Sequence, residues 1–263
     1  MNERTRLFNY EVDPVTMDEA IARVLGWART RDGVCRYAVT PNVNHTVLLQ
    51  HHGGLRDAYR DAGLILTDGM PVYLAARLLG RPVPQRVAGS DLVPRLFEAA
   101  GRSGGLTVFL LGAGPGVADR AAQQIADRWP AVRVVGTCSP PLGFERDAAR
   151  NAAILEQIAA VRPDVLVVGL GAPKQELWVH EHRAQIATPV ALCVGATIDF
   201  IAGEKRRAPA WMRATGLEWL HRVASEPRRL VGRYARDAVV FPWLLGREVL
   251  GSLFPAKGNP CTH

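Results

Sequence analysis

The chain predicts an α/β protein: a largely parallel sheet with helices on both faces, followed by a helical C-terminal appendage. Three observations lead there. Short, nearly continuous apolar runs ("LTVFLL", "VRVVG", "DVLVVGLG", "VALCVG") alternate with helix-period segments from Leu106 onward, as strands buried on both faces do. Each run ends in a loop rich in glycine or polar residues, where open α/β sheets place their ligands. After Gly203 the strand pattern stops, and the chain becomes helical, basic and rich in Trp and Phe. The boundary predicted is 1–203 for the α/β part and 204–263 for the appendage. A length of 263 residues with 48% hydrophobic and 22% charged residues suffices for one sizeable core.

The elements follow in order. "TMDEAIARVLGWA" (16–28) opens with Thr16 and Glu19 at capping-box spacing and continues at helical period. "VCRYAVT" (34–40) is a strand, "PNVN" its turn, and a helix runs from about Asn44 to His52, stopping at Gly53-Gly54. A second short helix precedes "LILT", after which come Asp68-Gly69 and the helix "MPVYLAARLLG". "RPVPQRVAG" (81–89) is a loop, and Ser90 is placed to cap the next helix. Then strands and helices alternate: "LTVFLL", helix 117–128, "VRVVG", helix 147–161, "DVLVVGLG", helix 173–185 and "VALCVG".

The strand-end loops carry the chemistry. Thr40, Asn42 and Asn44 follow the first long strand, and Asp68 follows the next. A carboxylate beside a core costs free energy unless it is paired, solvated or employed. "GAGPG", with Gly112, Gly114 and Gly116, has the form of a turn whose backbone N–H groups meet an anion. A turn that only packs helix on strand remains the other reading. A dinucleotide site also requires an acidic residue at the tip of the next strand. That strand ends "VVGTCSPP", which disfavours NAD and leaves a nucleoside diphosphate open. In "GLGAPKQELW", Pro173 suits a first helical turn, which Lys174 and Gln175 then occupy. A lysine there opposes the helix dipole, so an anion or plain solvation accounts for it. Asp199 sits just past the last strand. No D-x-D pair occurs, and His180 and His182 are two apart, on different helix faces. Neither a metal nor a cofactor is expected.

The charge is uneven. The whole chain carries 32 − 25 = +7, and 204–257 hold eleven Lys or Arg against five Asp or Glu. Such a patch implies an anionic partner, with phospholipid, a phosphorylated lipid and nucleic acid as candidates. Arg222, Arg229, Arg233 and Arg236 form one stripe if their segment is one helix. Ser225 as a cap and Pro227 as a first-turn proline instead suggest two helices meeting at a bend. "FPWLLGREVLGSLF", with Trp243, Leu244, Leu245, Leu250, Leu253 and Phe254, is too short to span a bilayer but suits its interface. A basic block followed by an apolar one favours a membrane surface over nucleic acid, where aromatics would stand among the arginines. Packing of this end on the protein stays open, as does a homo-oligomer. The four scattered cysteines and the absence of a leader suggest reduced thiols and a cytoplasmic setting.

The ordered blocks "TPNVNH", "LTDGMPV", "RVAGSDLVP", "LLGAGPGVA", "VGLGAPKQELW", "VGATIDFIAGEKRRAPAWM" and "GLEWLHRVASEPRRL" resemble the WecG/TagA/CpsF family of bacterial glycosyltransferases. The resemblance implies a Rossmann-like core whose C-terminal appendage completes the active site at the inner face of the membrane. It implies inverting, metal-independent transfer of a sugar (N-acetylmannosamine, its uronic acid or glucose) from a UDP-sugar to a sugar on undecaprenyl diphosphate. Residue by residue, it implies Asp68 as general base and Thr40, Asn42 and Arg86 as pocket residues. Gln175, Asp199 and the "GAGPG" turn would lie at the donor, and Arg222 and Arg229 at the acceptor diphosphate. Arg233 is a third candidate of open register. The "FPWLLGREVLGSLFP" end matches no part of the family pattern. The competing reading is a nucleotide-binding protein, redox or regulatory, docked to membrane or nucleic acid.

Overall fold

A computed structural model describes residues 3–253. Phe254, and Cys261 among the four cysteines, lie outside the described residues. Six parallel strands form the central sheet, in the order β4-β3-β8-β7-β5-β6. They are β3 (Arg36–Val39), β4 (Leu64–Ile65), β5 (Leu106–Gly112), β6 (Val132–Cys138), β7 (Val165–Gly169) and β8 (Val190–Cys193). An antiparallel hairpin, β1 (Thr5–Leu7) and β2 (Tyr10–Val12), precedes them and was not legible as strand.

Side chains alternate between the two faces of the sheet at period two. In β7, Val165 and Val167 join one apolar cluster with α1 (Met17–Arg29), α5 (Gly89–Gly101) and α6 (Val117–Arg128). Leu166 and Val168 join the other, with α7 (Ala148–Val161) and α8 (Lys174–His182). Both faces are therefore covered, which explains the unbroken apolar runs. Several predicted bounds hold closely: α6 begins and ends as expected, and Thr16 and Glu19 make the capping box. Two caps differ. Ala88, not Ser90, stands at the N-cap of α5, and the Ser90 hydroxyl instead accepts from Arg207. Ser225 is the last residue of α11 (Glu218–Ser225), its hydroxyl donating back to the His221 carbonyl, while Pro227 opens α12 (Pro227–Leu253) as the bend requires.

The position of a ligand crevice follows from connectivity. After β5 the chain crosses by α6 toward β6, and after the adjacent β7 it crosses by α8 the other way, toward β8. Right-handed crossovers in opposite directions place these helices on opposite faces, leaving a gap above the carboxyl ends of β5 and β7. Gly112 and Gly169 are register partners at that gap. Gly112 has φ +117°, and a Cβ there would lie 2.6 Å from the Gly169 carbonyl.

The helix α12 returns across the carboxyl edge. It packs on α2 (Val43–Leu49), and its Phe241 and Leu244 enter the cluster that also holds Leu166 and Val168. Its opposite side leaves Val239, Trp243 and Leu250 exposed. The apolar end thus divides its residues between the core and solvent. Among the described residues, no helix is long and apolar enough to cross a membrane.

Because the group opposing a Cβ at Gly112 is backbone of a central strand, Gly112→Ala should cost about 2 kcal/mol or more. Thermal unfolding reads this; an unchanged midpoint would mean the β5–β7 contact is looser than described.

Candidate active site

The loops at the carboxyl ends of the strands line one cleft of about 1050 Å³, roofed by α10 (Ala210–Ala214), α11 and α12. It is large for a single small ligand. Thr40 and Asn42 enter from β3, Asp68 from β4, Gly114 from β5, Lys174 and Gln175 from β7, and Asp199 from β8. Arg86 comes from the loop before α5, and Arg222, Arg229 and Arg233 from the roof. Every predicted site residue lines this cleft except Gly112 and Gly116 of the glycine turn and Arg236 of the tail stripe. Gly112 lies beneath it, allowing β5 and β7 to approach, while Gly114 faces the space.

Asp68 stands three residues past the end of β4, where its N–H donates to the Pro41 carbonyl at 3.0 Å and fixes its position beside the end of β3. The N-cap of α4 (Met70–Leu78) is Gly69, and no side chain caps that helix. Asp68 is therefore not spent as a cap. Its side chain keeps 28% exposure, with one Arg86 Nη1 at 4.0 Å from Oδ1. That same nitrogen donates to the Asp68 main-chain carbonyl at 3.3 Å. The surrounding walls desolvate the carboxylate and the charge of Glu218 repels it, whereas Arg86 and Arg222 oppose both effects. The net result raises its pKa to about 6.

Arg86 is itself held. Asp91, in the first turn of α5, receives Arg207 at 2.9 Å, Arg213 at 3.3 Å and Arg86 at 3.8 Å. One carboxylate thus ties the Arg86 loop and the segment after Gly203 to α5, and three cations around one anion leave net positive charge at the rim.

Asn42 caps α2: its Oδ1 accepts from the backbone N–H groups of Asn44 and His45. Thr40 is buried, its hydroxyl donating to the Cys193 carbonyl at 3.1 Å and fastening β3 to β8 at the cleft floor. Gln175, also buried, accepts from the Gly195 N–H at 3.1 Å and donates to Glu176 Oε1 at 2.7 Å. His45 Nε2 meets the same Glu176 oxygen at 3.1 Å. His45 Nδ1 stands 3.1 Å from Asn42 Oδ1 and 3.4 Å from the Asn42 backbone nitrogen. A buried chain of hydrogen bonds therefore runs from Gly195 through Gln175, Glu176 and His45 to Asn42, joining three strand-end loops.

Two expectations are modified. Lys174 occupies the first turn of α8, but the anion it meets here is Glu145, at 3.2 Å. Pro173 stands at the N-cap of α8 rather than within its first turn. Asp199 lies 3.7 Å from Lys205, and burial raises its carboxyl despite that lysine. Of the tail arginines, Arg236 turns aside to Asn44 Oδ1 at 3.0 Å, while Arg222, Arg229 and Arg233 face the cleft.

Sequence reasoning passed over His45, Glu176, Glu218 and Asp237. Each is a polar residue on a helix that would read as solvated; Glu176 and Asp237 are almost fully buried. The available signal for Glu176 was its place beside Lys174 and Gln175 in a first helical turn.

The family description "Glycosyl transferase WecG/TagA/CpsF family" matches residues 5–253. The chain is 31% identical over 168 residues to an N-acetylglucosaminyldiphosphoundecaprenol N-acetyl-beta-D-mannosaminyltransferase of Bacillus spizizenii, covering 64% of this chain and 63% of that protein. A protein of the same description from Bacillus subtilis is 30% identical over 173 residues, covering 66% of this chain and 65% of its own length. The chain thus aligns with slightly less than two thirds of each of these relatives. With the match running through both the strand-end loops and the roof helices, the chain belongs to the Glycosyl transferase WecG/TagA/CpsF family.

Proposed function

We propose that this chain transfers a sugar from a UDP-sugar to a saccharide carried on a polyprenyl diphosphate, with inversion, in the synthesis of a bacterial cell-surface polysaccharide. The observation carrying the reading is Asp68: a carboxylate fixed at a strand end, free of a capping role, raised to about 6 and facing a cleft flanked by arginines. The names of the two relatives favour an N-acetylmannosaminyl donor and an N-acetylglucosaminyl acceptor on undecaprenyl diphosphate. Family membership favours transfer over the redox or regulatory alternative, as does the absence of an acidic residue at the tip of β6.

In this reading, Asp68 takes the proton of the acceptor hydroxyl. The oxygen forms a bond to the anomeric carbon, and the bond from that carbon to the UDP oxygen breaks on the opposite face. The electron pair leaves with UDP. Gly114, Lys174, Gln175 and Asp199 line the donor side, and the leaving charge falls among backbone N–H groups and cationic side chains. Arg222, Arg229 and Arg233 receive the acceptor diphosphate. The segment after Gly203 acts as an appendage whose described helices, α10 to α12, close the site. Its exposed Trp211, Trp219 and Trp243 suit the inner membrane surface, where the lipid tail resides.

The base must be ionised, so log(kcat/KM) should rise with unit slope at acid pH and level off above about 6. Asp68→Asn should lower kcat at least ~100-fold and remove that limb; wild-type turnover in a folded variant would reject the role. Stability should move the other way. A carboxyl whose pKa is higher in the folded state than in the unfolded one destabilises the fold as pH rises from about 4 to 6. Asp68→Asn should therefore raise the unfolding midpoint at pH 7 and lose the advantage below pH 4. A lowered midpoint at pH 7 would show that Asp68 holds the fold instead. Turnover in EDTA should match turnover without it; a loss restored by Mg²⁺ would contradict metal-independent transfer.

A further inference from the structure

We propose that Asp237 reads the sugar next to the acceptor diphosphate, accepting hydrogen bonds from its hydroxyl or acetamido N–H groups. This inference rests on the proposed transfer reaction and specifies how its acceptor is recognised.

Asp237 is 2% exposed yet lines the cleft. Its Oδ1 accepts from the neighbouring Arg236 at 3.3 Å, while Oδ2 is buried with no hydrogen-bond partner among the described residues. A carboxylate oxygen left so is costly unless something else supplies a donor. Burial accordingly raises its pKa, against Arg236, Arg233 and His45.

Its place on α12 identifies the donor's chemistry. Arg229, Arg233, Asp237 and Phe241 stand four residues apart on α12 and all line the cleft, each about 6 Å beyond the last along the helix axis. Arg229 is within electrostatic reach of Asp199 at the end of β8, whereas Asp237 and Asp68 are both within reach of His45 after β3. The helix therefore leads from cations suited to a diphosphate to a carboxylate able to accept from hydroxyl groups, on the side where Asp68 lies, with Phe241 beyond it anchoring α12 in the core. A sugar attached to a diphosphate presents its groups in that order, phosphates first and then the hydroxyls of the ring.

The test compares two probes, a short-chain polyprenyl diphosphate and the same lipid bearing N-acetylglucosamine, by calorimetry with wild type, Asp237→Ala and Asp237→Asn. Wild type should bind the sugar-bearing lipid more tightly. Asp237→Ala should lose that preference, weakening the sugar-bearing lipid roughly tenfold or more, with unchanged affinity for the bare diphosphate and for UDP. The near-isosteric Asp237→Asn guards against simple misfolding and should weaken the preference too, because its amide offers only one acceptor oxygen. If both folded variants keep the wild-type preference, or if bare and sugar-bearing lipids weaken equally, the inference is overturned. Failure of wild type to bind UDP would instead bring down the transfer reading itself.

Discussion

All six strands of the sheet run parallel, so all six end at one edge, and every loop able to bind a ligand is forced onto that edge. The reversal of crossover direction at β5 and β7 opens a crevice there, and the near-contact of Gly112 with Gly169 sets its floor. Placement of a carboxylate, a glutamine and an asparagine around one space then needs no further device. Each side chain is held where its strand stops. The roof helices complete what the edge begins, anchored by Phe241 and Leu244 in the same apolar cluster as the strands.

Within that frame, the electrostatics are balanced rather than uniformly basic. The three guanidinium groups converging on Asp91 fasten Arg86 and the first residues beyond Gly203 to α5. Asp68 is consequently close enough to a cation to ionise near neutrality but too desolvated to be a weak base. The Gln175–Glu176–His45–Asn42 chain performs a related task on the opposite wall, fixing loop geometry through buried hydrogen bonds. The proposed transfer needs cations for two anionic substrates and a base partly relieved of them. Distributing the arginines over loop and roof, with carboxylates between, meets both needs.

The parts legible in the sequence were those governed by local rules. Continuous apolar runs gave the buried strands, Thr16 and Glu19 the first helix, and the glycine turn the start of α6. The loops after each run foretold the cleft because parallel topology leaves them nowhere else to go. What could not be read depends on distance. His45 and Glu176 are 131 residues apart in sequence and meet only after β3 and β7 are placed in one sheet. Asp91 gains its role from arginines that approach from elsewhere. Ser90 and Ser225 misled because cap propensity is local, while their hydroxyls found other partners in context. The β1–β2 hairpin escaped notice because two three-residue strands offer too short a period to recognise.

The most direct measurement is a crystal structure with UDP bound. The account predicts the uridine diphosphate above the ends of β5 and β7, with Gly114 and Gln175 at its side, and the Asp68 carboxylate turned toward the open space beyond its terminal phosphate. UDP seated away from that crevice, or Asp68 separated from the phosphate by intervening protein, would contradict it.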